Sequence, residues 1–167
     1  MKCFNMFFVC LAAISIMLLG SCSSDSSTNP PANTTDYGFT CTLNGGGYTN
    51  QAIKITPGSG SVYSVADDQT AVTCTNAATE VGVVSFKGNK TGTYKIEAGD
   101  DKNLVMMTIG AVGTGVYIEI ISGTINVTSY GAVGGDVIGT FSGQGEIASN
   151  GNAVQITNGT FKAKRAL

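Results

Sequence analysis

From Tyr37 onward, apolar and polar residues alternate one by one. Phe39, Cys41 and Leu43 alternate with Thr40 and Thr42, Val72 and Cys74 with Thr73 and Thr75, and Tyr94, Ile96 and Ala98 with Thr93, Lys95 and Glu97. The same holds around Ile53 and Ile55, Val116 to Ile120, Ile125 to Val127, Val154 to Ile156, and Phe161 to Ala163. A period of two belongs to a strand with one buried face, because successive side chains leave opposite sides of a pleated backbone. Leu104 to Ile109 is almost continuously apolar and predicts a strand covered on both faces, and Val81 to Phe86 is a less regular candidate. No window carries helical spacing. Between the runs stand Asn44-Gly45, Gly88-Asn89, Ser122-Gly123, Gly134-Gly135, Asn150-Gly151 and Asn158-Gly159, residues that accept the positive φ of tight turns. About ten short strands so punctuated predict an all-β fold, mostly antiparallel. A β-sandwich, jelly-roll-like or immunoglobulin-like, is the expected form, with a β-barrel as the alternative.

The first residues follow another pattern. Lys2 precedes a run from Phe4 to Leu19 that only Asn5 and Ser15 interrupt, too short for a stable membrane span. It ends in Leu18-Leu19-Gly20-Ser21-Cys22, which resembles the lipobox of bacterial lipoproteins. That resemblance implies a diacylglyceryl group on the Cys22 thiol, removal of residues 1–21, and acylation of the new amine by a palmitate-like chain. Two or three chains, at about 0.8 kcal/mol per buried methylene, hold a protein firmly on a membrane. Residues 22–35 include Pro30-Pro31 and no large apolar side chain, so they are expected to form a disordered tether to a domain at 36–167. Ser rather than Asp beside the cysteine points to an outer-membrane lipoprotein, periplasmic or surface-facing.

A second resemblance lies at the other end. Ile125 to Gly135, then Ile138-Gly139-Thr140-Phe141-Ser142-Gly143, then Ile156 to Arg165, is similar to the C-terminal half of small bacterial lipoproteins of unknown function. It implies a β-sandwich and lends no catalytic residue. Within it Gly139-Thr140-Phe141 is echoed by Gly159-Thr160-Phe161, as expected of two hairpin strands in one sheet.

Composition narrows the function classes. The formal charge is −2 and charged residues make up 12%, which excludes the basic face that nucleic acid requires. Histidine is absent, which removes Ser-His-Asp and Cys-His catalysis and most zinc sites. Glu119, flanked by Ile118 and Ile120, reads as the outward member of a strand. Asp67-Asp68 and Asp100-Asp101 read as solvated turn residues lacking calcium-loop spacing. No enzyme, metal or cofactor is expected. Once Cys3, Cys10 and Cys22 are set aside, Cys41 and Cys74 remain; outside the cytoplasm such a pair is a disulfide candidate, two separate buried thiols being the alternative. Tyr117 and Tyr130 fall opposite the apolar residues of their strands and are the candidate ligand contacts, for a glycan or a protein. Lys162, Lys164 and Arg165 read as the charges that protect an edge strand. The expectation is a lipid-anchored, non-catalytic envelope protein for binding, adhesion or envelope structure; a glycan- or small-ligand-binding lipoprotein is the alternative.

Overall fold

In the computed structural model, residues 37–56, 59–76, 80–110 and 114–167 are described. The leader, Cys22 and the proposed tether lie outside them. Ten strands follow in order: β1 (Gly38–Gly45), β2 (Tyr48–Ile55), β3 (Ser59–Ser64), β4 (Gln69–Thr75), β5 (Val81–Lys87), β6 (Gly92–Glu97), β7 (Leu104–Ile109), β8 (Val116–Tyr130), β9 (Asp136–Ile147) and β10 (Ala153–Arg165). There is no helix among the described residues, and every pairing is antiparallel except that of β3 with β10. The all-β, mostly antiparallel expectation holds.

All ten strands belong to one sheet. Six of them, β2-β1-β10-β9-β8-β6, run side by side, and β3-β4-β5-β7 continue from β10 round to β8. The hydrogen-bonding path therefore returns on itself through β10, β3, β4, β5, β7, β8 and β9. Strands that do not pair meet across the core. The Phe39 ring on β1 covers Gly82 on β5, where an added Cβ would come within 2.6 Å of it. Cys41 Sγ on β1 lies 3.9 Å from Met107 Sδ on β7, and the rings of Phe86 (β5) and Tyr94 (β6) are 5.1 Å apart.

The ring closes on a narrow seam. Only Lys164 and Arg165 pair with Gly60 and Ser61, in parallel. Ala166 N–H adds a bond to Ser61 O at 2.9 Å, and the buried Ser61 hydroxyl donates to Lys164 O at 3.2 Å. Arg165 is held in turn by the β8–β9 loop: its N–H donates to Gly135 O, its O accepts from Gly134 N–H, and Nη1 donates to Gly131 O.

Three features depart from the alternation in the sequence. Asn158 does have positive φ, 52°, yet no hairpin forms there; β10 continues through it as a bulge, and the register with β9 slips between Ile156 and Gly159. Ser122-Gly123 likewise lies inside β8, whose register with β9 shifts between Ile120 and Ser122 and again between Val127 and Ser129. Each extra residue reverses which face later side chains take. β10 is an interior strand flanked by β1, β9 and β3, so its lysines do not guard an edge. The edges are β2 and β6, each paired on one side only. By contrast, Asn44-Gly45 and Asn150-Gly151 do turn the β1–β2 and β9–β10 hairpins.

The echoed Gly-Thr-Phe triplets explain the fit of β9 on β10. In register, Gly139 faces Phe161 and Gly159 faces Phe141. Each glycine leaves its place on the inner face to the other strand's ring: a Cβ at 139 would be 2.7 Å from Phe161 Cε1, and one at 159 would be 2.5 Å from Phe141 Cδ2. Phe141 then meets Phe39 at 4.8 Å between centroids, which ties the pair into the core.

Candidate functional site

The outer face of the six-strand layer carries the most ordered array of chemistry in the domain. Antiparallel register places Thr40, Thr160, Thr140 and Asn126 in one row across β1, β10, β9 and β8. A second row holds Thr42, Thr157, Ser142 and Thr124, with Asn158 bulged beside Thr157. A third holds Asn44, Gln155, Gln144 and Ser122. All are neutral hydroxyl or amide side chains. In these rows charge enters only on the edge strands, as Lys54 on β2 and Lys95 and Glu97 on β6. Sheet geometry sets the spacing at ~4.8 Å across strands and ~6.8 Å along them.

Inside the array lies a shallow depression of about 420 Å³, lined by Thr124, Asn126, Thr140, Ser142, Asn158 and Thr160 over Phe141 and Gly159. Thr160 Oγ1 is 2.7 Å from Thr40 Oγ1, and Thr93 donates to Asn126 Oδ1 at 3.3 Å. The side chains of Thr124, Thr140, Ser142 and Asn158 form no hydrogen bond among the described residues, and all four are exposed. The sequence showed that outward positions were rich in threonine. It did not show which of them share a row, because that depends on pairings between residues up to 120 positions apart.

The residues singled out in the sequence do not gather. Tyr117 and Tyr130 stand near opposite ends of β8, about 40 Å apart along the strand at ~3.3 Å per residue. The Tyr117 hydroxyl is 3.4 Å from Met106 Sδ and 3.3 Å from Glu119 Oε2. Burial, followed by the Glu119 charge, pushes it up to about 12. Tyr130 does not point outward as the alternation predicted. The bulge between Val127 and Ser129 turns it toward the core, edge-on to Phe86 at 6.2 Å. Its hydroxyl is 2.9 Å from that of the fully buried Thr70, and Arg165 covers its ring at 4.9 Å.

The disulfide expected between Cys41 and Cys74 is not formed; both are free thiols. The alternation correctly buries them, at 4% and 0% exposure, and the Cys41 thiol is turned to Met107 Sδ. Burial in apolar surroundings pushes each thiol up to about 12, so both behave as small hydrophobes.

The acidic clusters serve turns. Asp67 accepts from Ser64 and Asp68 from Tyr63 in the β3–β4 turn. Asp100 accepts from Lys102 N–H, Asn103 N–H and the Asn103 amide. Burial pushes its carboxyl up, but these bonds together outweigh that and hold it below the ordinary range. Glu119 is exposed, directly opposite Glu146. No group of three or more acidic or cysteine side chains suited to a metal ion occurs among the described residues. Asp136 gathers the basic end of β10: Lys164 Nζ lies at 3.0 Å, Lys162 Nζ at 3.5 Å, and the Tyr37 hydroxyl donates at 2.8 Å. Lys164 first, then Tyr37, hold its carboxyl below the usual range.

Comparison with protein-family models, with curated proteins and with solved structures finds no match.

Proposed function

We propose that the chain is a lipid-anchored protein of a bacterial cell envelope, held in an outer membrane through Cys22, whose β domain is a non-catalytic module for binding or adhesion. The observation that carries the binding half is the neutral array on β1, β10, β9 and β8. It is an extended surface built on a stitched sheet, in contrast to the enclosed cleft that catalysis uses to exclude water. The carboxylates of Asp67, Asp68, Asp100 and Asp136 are engaged in turns or with lysines, and Cys41 and Cys74 are buried with unreactive thiols. The anchoring half is supported by the resemblance of Leu18-Leu19-Gly20-Ser21-Cys22 to a lipobox.

A ligand site built on clustered tyrosines loses its footing, because Tyr130 is occupied within the fold and lies far from Tyr117. The test is membrane fractionation with protease shaving of intact cells, comparing the wild type with Cys22→Ser. The wild type should sediment with the outer membrane, and Cys22→Ser, which cannot be lipidated, should be missing from that fraction. A Cys22→Ser protein that still sediments with the outer membrane overturns the anchor. Shaving assigns the face: cleavage while a periplasmic marker survives places the domain outside the cell.

A further inference from the structure

We infer that the ligand of the neutral array is a neutral, hydroxyl-rich glycan chain, seated over the depression between Thr124, Thr140, Ser142 and Asn158; this rests on the binding role proposed above. Each partner class is tested by what the twelve central positions contain. An anionic glycan, a nucleic acid or an anionic headgroup would meet no cation there, since the charges of these rows stand on β2 and β6. A protein partner is anchored by aromatic or aliphatic side chains filling desolvated pockets. The array has none to offer: its outward side chains are Thr, Ser, Asn and Gln. A neutral sugar polymer presents hydroxyls that both donate and accept, as do every hydroxyl and every amide of the array.

The shape of the sheet selects further. Strands rotate by about 20–25° per step, which accumulates to roughly 60–75° over the four central strands. A flat crystalline surface touches such a saddle along a line at most, whereas a flexible chain can follow it. The depression is where a chain gains contact on several sides. It is also where Thr124, Thr140, Ser142 and Asn158 have no hydrogen-bond partner among the described residues. A chain that replaces water at these groups leaves none of them unsatisfied.

Affinity gel electrophoresis of the full chain in mild detergent tests this, with gels containing β-glucan, α-glucan, xylan or mannan, and an anionic polysaccharide gel for comparison. At least one neutral gel should retard the wild type. The double variant Thr124→Val/Thr140→Val keeps side-chain shape and strand propensity while removing two hydroxyls, and should bind about tenfold more weakly. Thr73→Val on β4, in the other layer, should behave as wild type. Unchanged retardation of the double variant overturns the site. Retardation by the anionic gel alone overturns the neutral class. If no gel retards the chain, the glycan inference fails; the binding role then survives only if a thiol placed at Thr140 is shielded from a maleimide in intact cells.

Discussion

Gly139→Ala separates two physical effects of opposite sign. A glycine inside a strand costs roughly 0.5–1 kcal/mol of chain entropy relative to alanine, so by propensity alone the substitution stabilises. The structure predicts the reverse. The new Cβ would stand 2.6 Å from Asn126 O and 2.7 Å from Phe161 Cε1, distances at which the ring or the strand must move. Overpacking of this kind costs about 1–3 kcal/mol, so the net effect is a loss of up to roughly 2.5 kcal/mol, centred on about 1 kcal/mol. For a domain of this size that lowers Tm by a few degrees, at roughly 3–6 °C per kcal/mol. Adding Phe161→Leu should recover part of the loss, with a coupling of about 0.5–2 kcal/mol, because the shorter side chain vacates the space. Gly60→Ala is the control: nothing lies within 4 Å of its added Cβ and its φ is not positive. Thermal and urea unfolding of the wild type, Gly139→Ala, Phe161→Leu, the double variant and Gly60→Ala gives the answer. If Gly139→Ala is as stable as Gly60→Ala, or if the effects of Gly139→Ala and Phe161→Leu simply add, the reciprocal glycine–phenylalanine packing is not what seats β9 on β10.

Other outcomes follow from the same geometry. Asp136 is held below its unfolded value, so its contribution to stability is full above about pH 4 and is lost as pH falls through the folded value. Asp136→Asn should therefore be less stable than wild type near neutrality, and the gap should close as pH falls below about 4; a gap independent of pH refutes this. Cys41 and Cys74 should resist a thiol reagent at pH 8 in the native protein and react in guanidinium without reductant. A Cys41–Cys74 linked peptide in a non-reducing digest would contradict the free thiols. Truncation before Lys164 removes the only β3–β10 pairing, and it should raise amide exchange in β3 far more than in β1. Equal protection of β3 in both proteins would show that the seam does not hold it.

Much of this architecture is written in local pattern. Alternation marked Phe39, Cys41, Leu43, Val72 and Cys74 as inward, and all are buried. Asn44-Gly45 and Asn150-Gly151 turn hairpins because the chain on both sides has a partner to fold back on. Asn158-Gly159 has the same chemistry but lies where β10 is already paired on both sides, so its positive φ is absorbed as a bulge. The bulges in β8 also hid the inward turn of Tyr130, since period counting assumes no inserted residue. β3 had no apolar rhythm to reveal it: Ser59–Ser64 contains a single aliphatic side chain, Val62, and that one is exposed. The binding array was legible only as an excess of outward threonine. Its rows join residues from distant parts of the chain, and single-strand patterns carry no register.

The central claim is that the neutral face meets a partner in the envelope, and cysteine accessibility in cells measures it most directly. Thr140→Cys and Thr73→Cys introduce one reactive thiol each, over a low background because Cys41 and Cys74 are buried. Thr140 is exposed and Thr73 half-buried, so the rate at which a small maleimide labels each purified variant is its own reference. In intact cells Thr73→Cys should keep its purified rate and Thr140→Cys should fall severalfold below its own. A Thr140→Cys rate in cells as little changed from the purified protein as that of Thr73→Cys would contradict the assignment of this face.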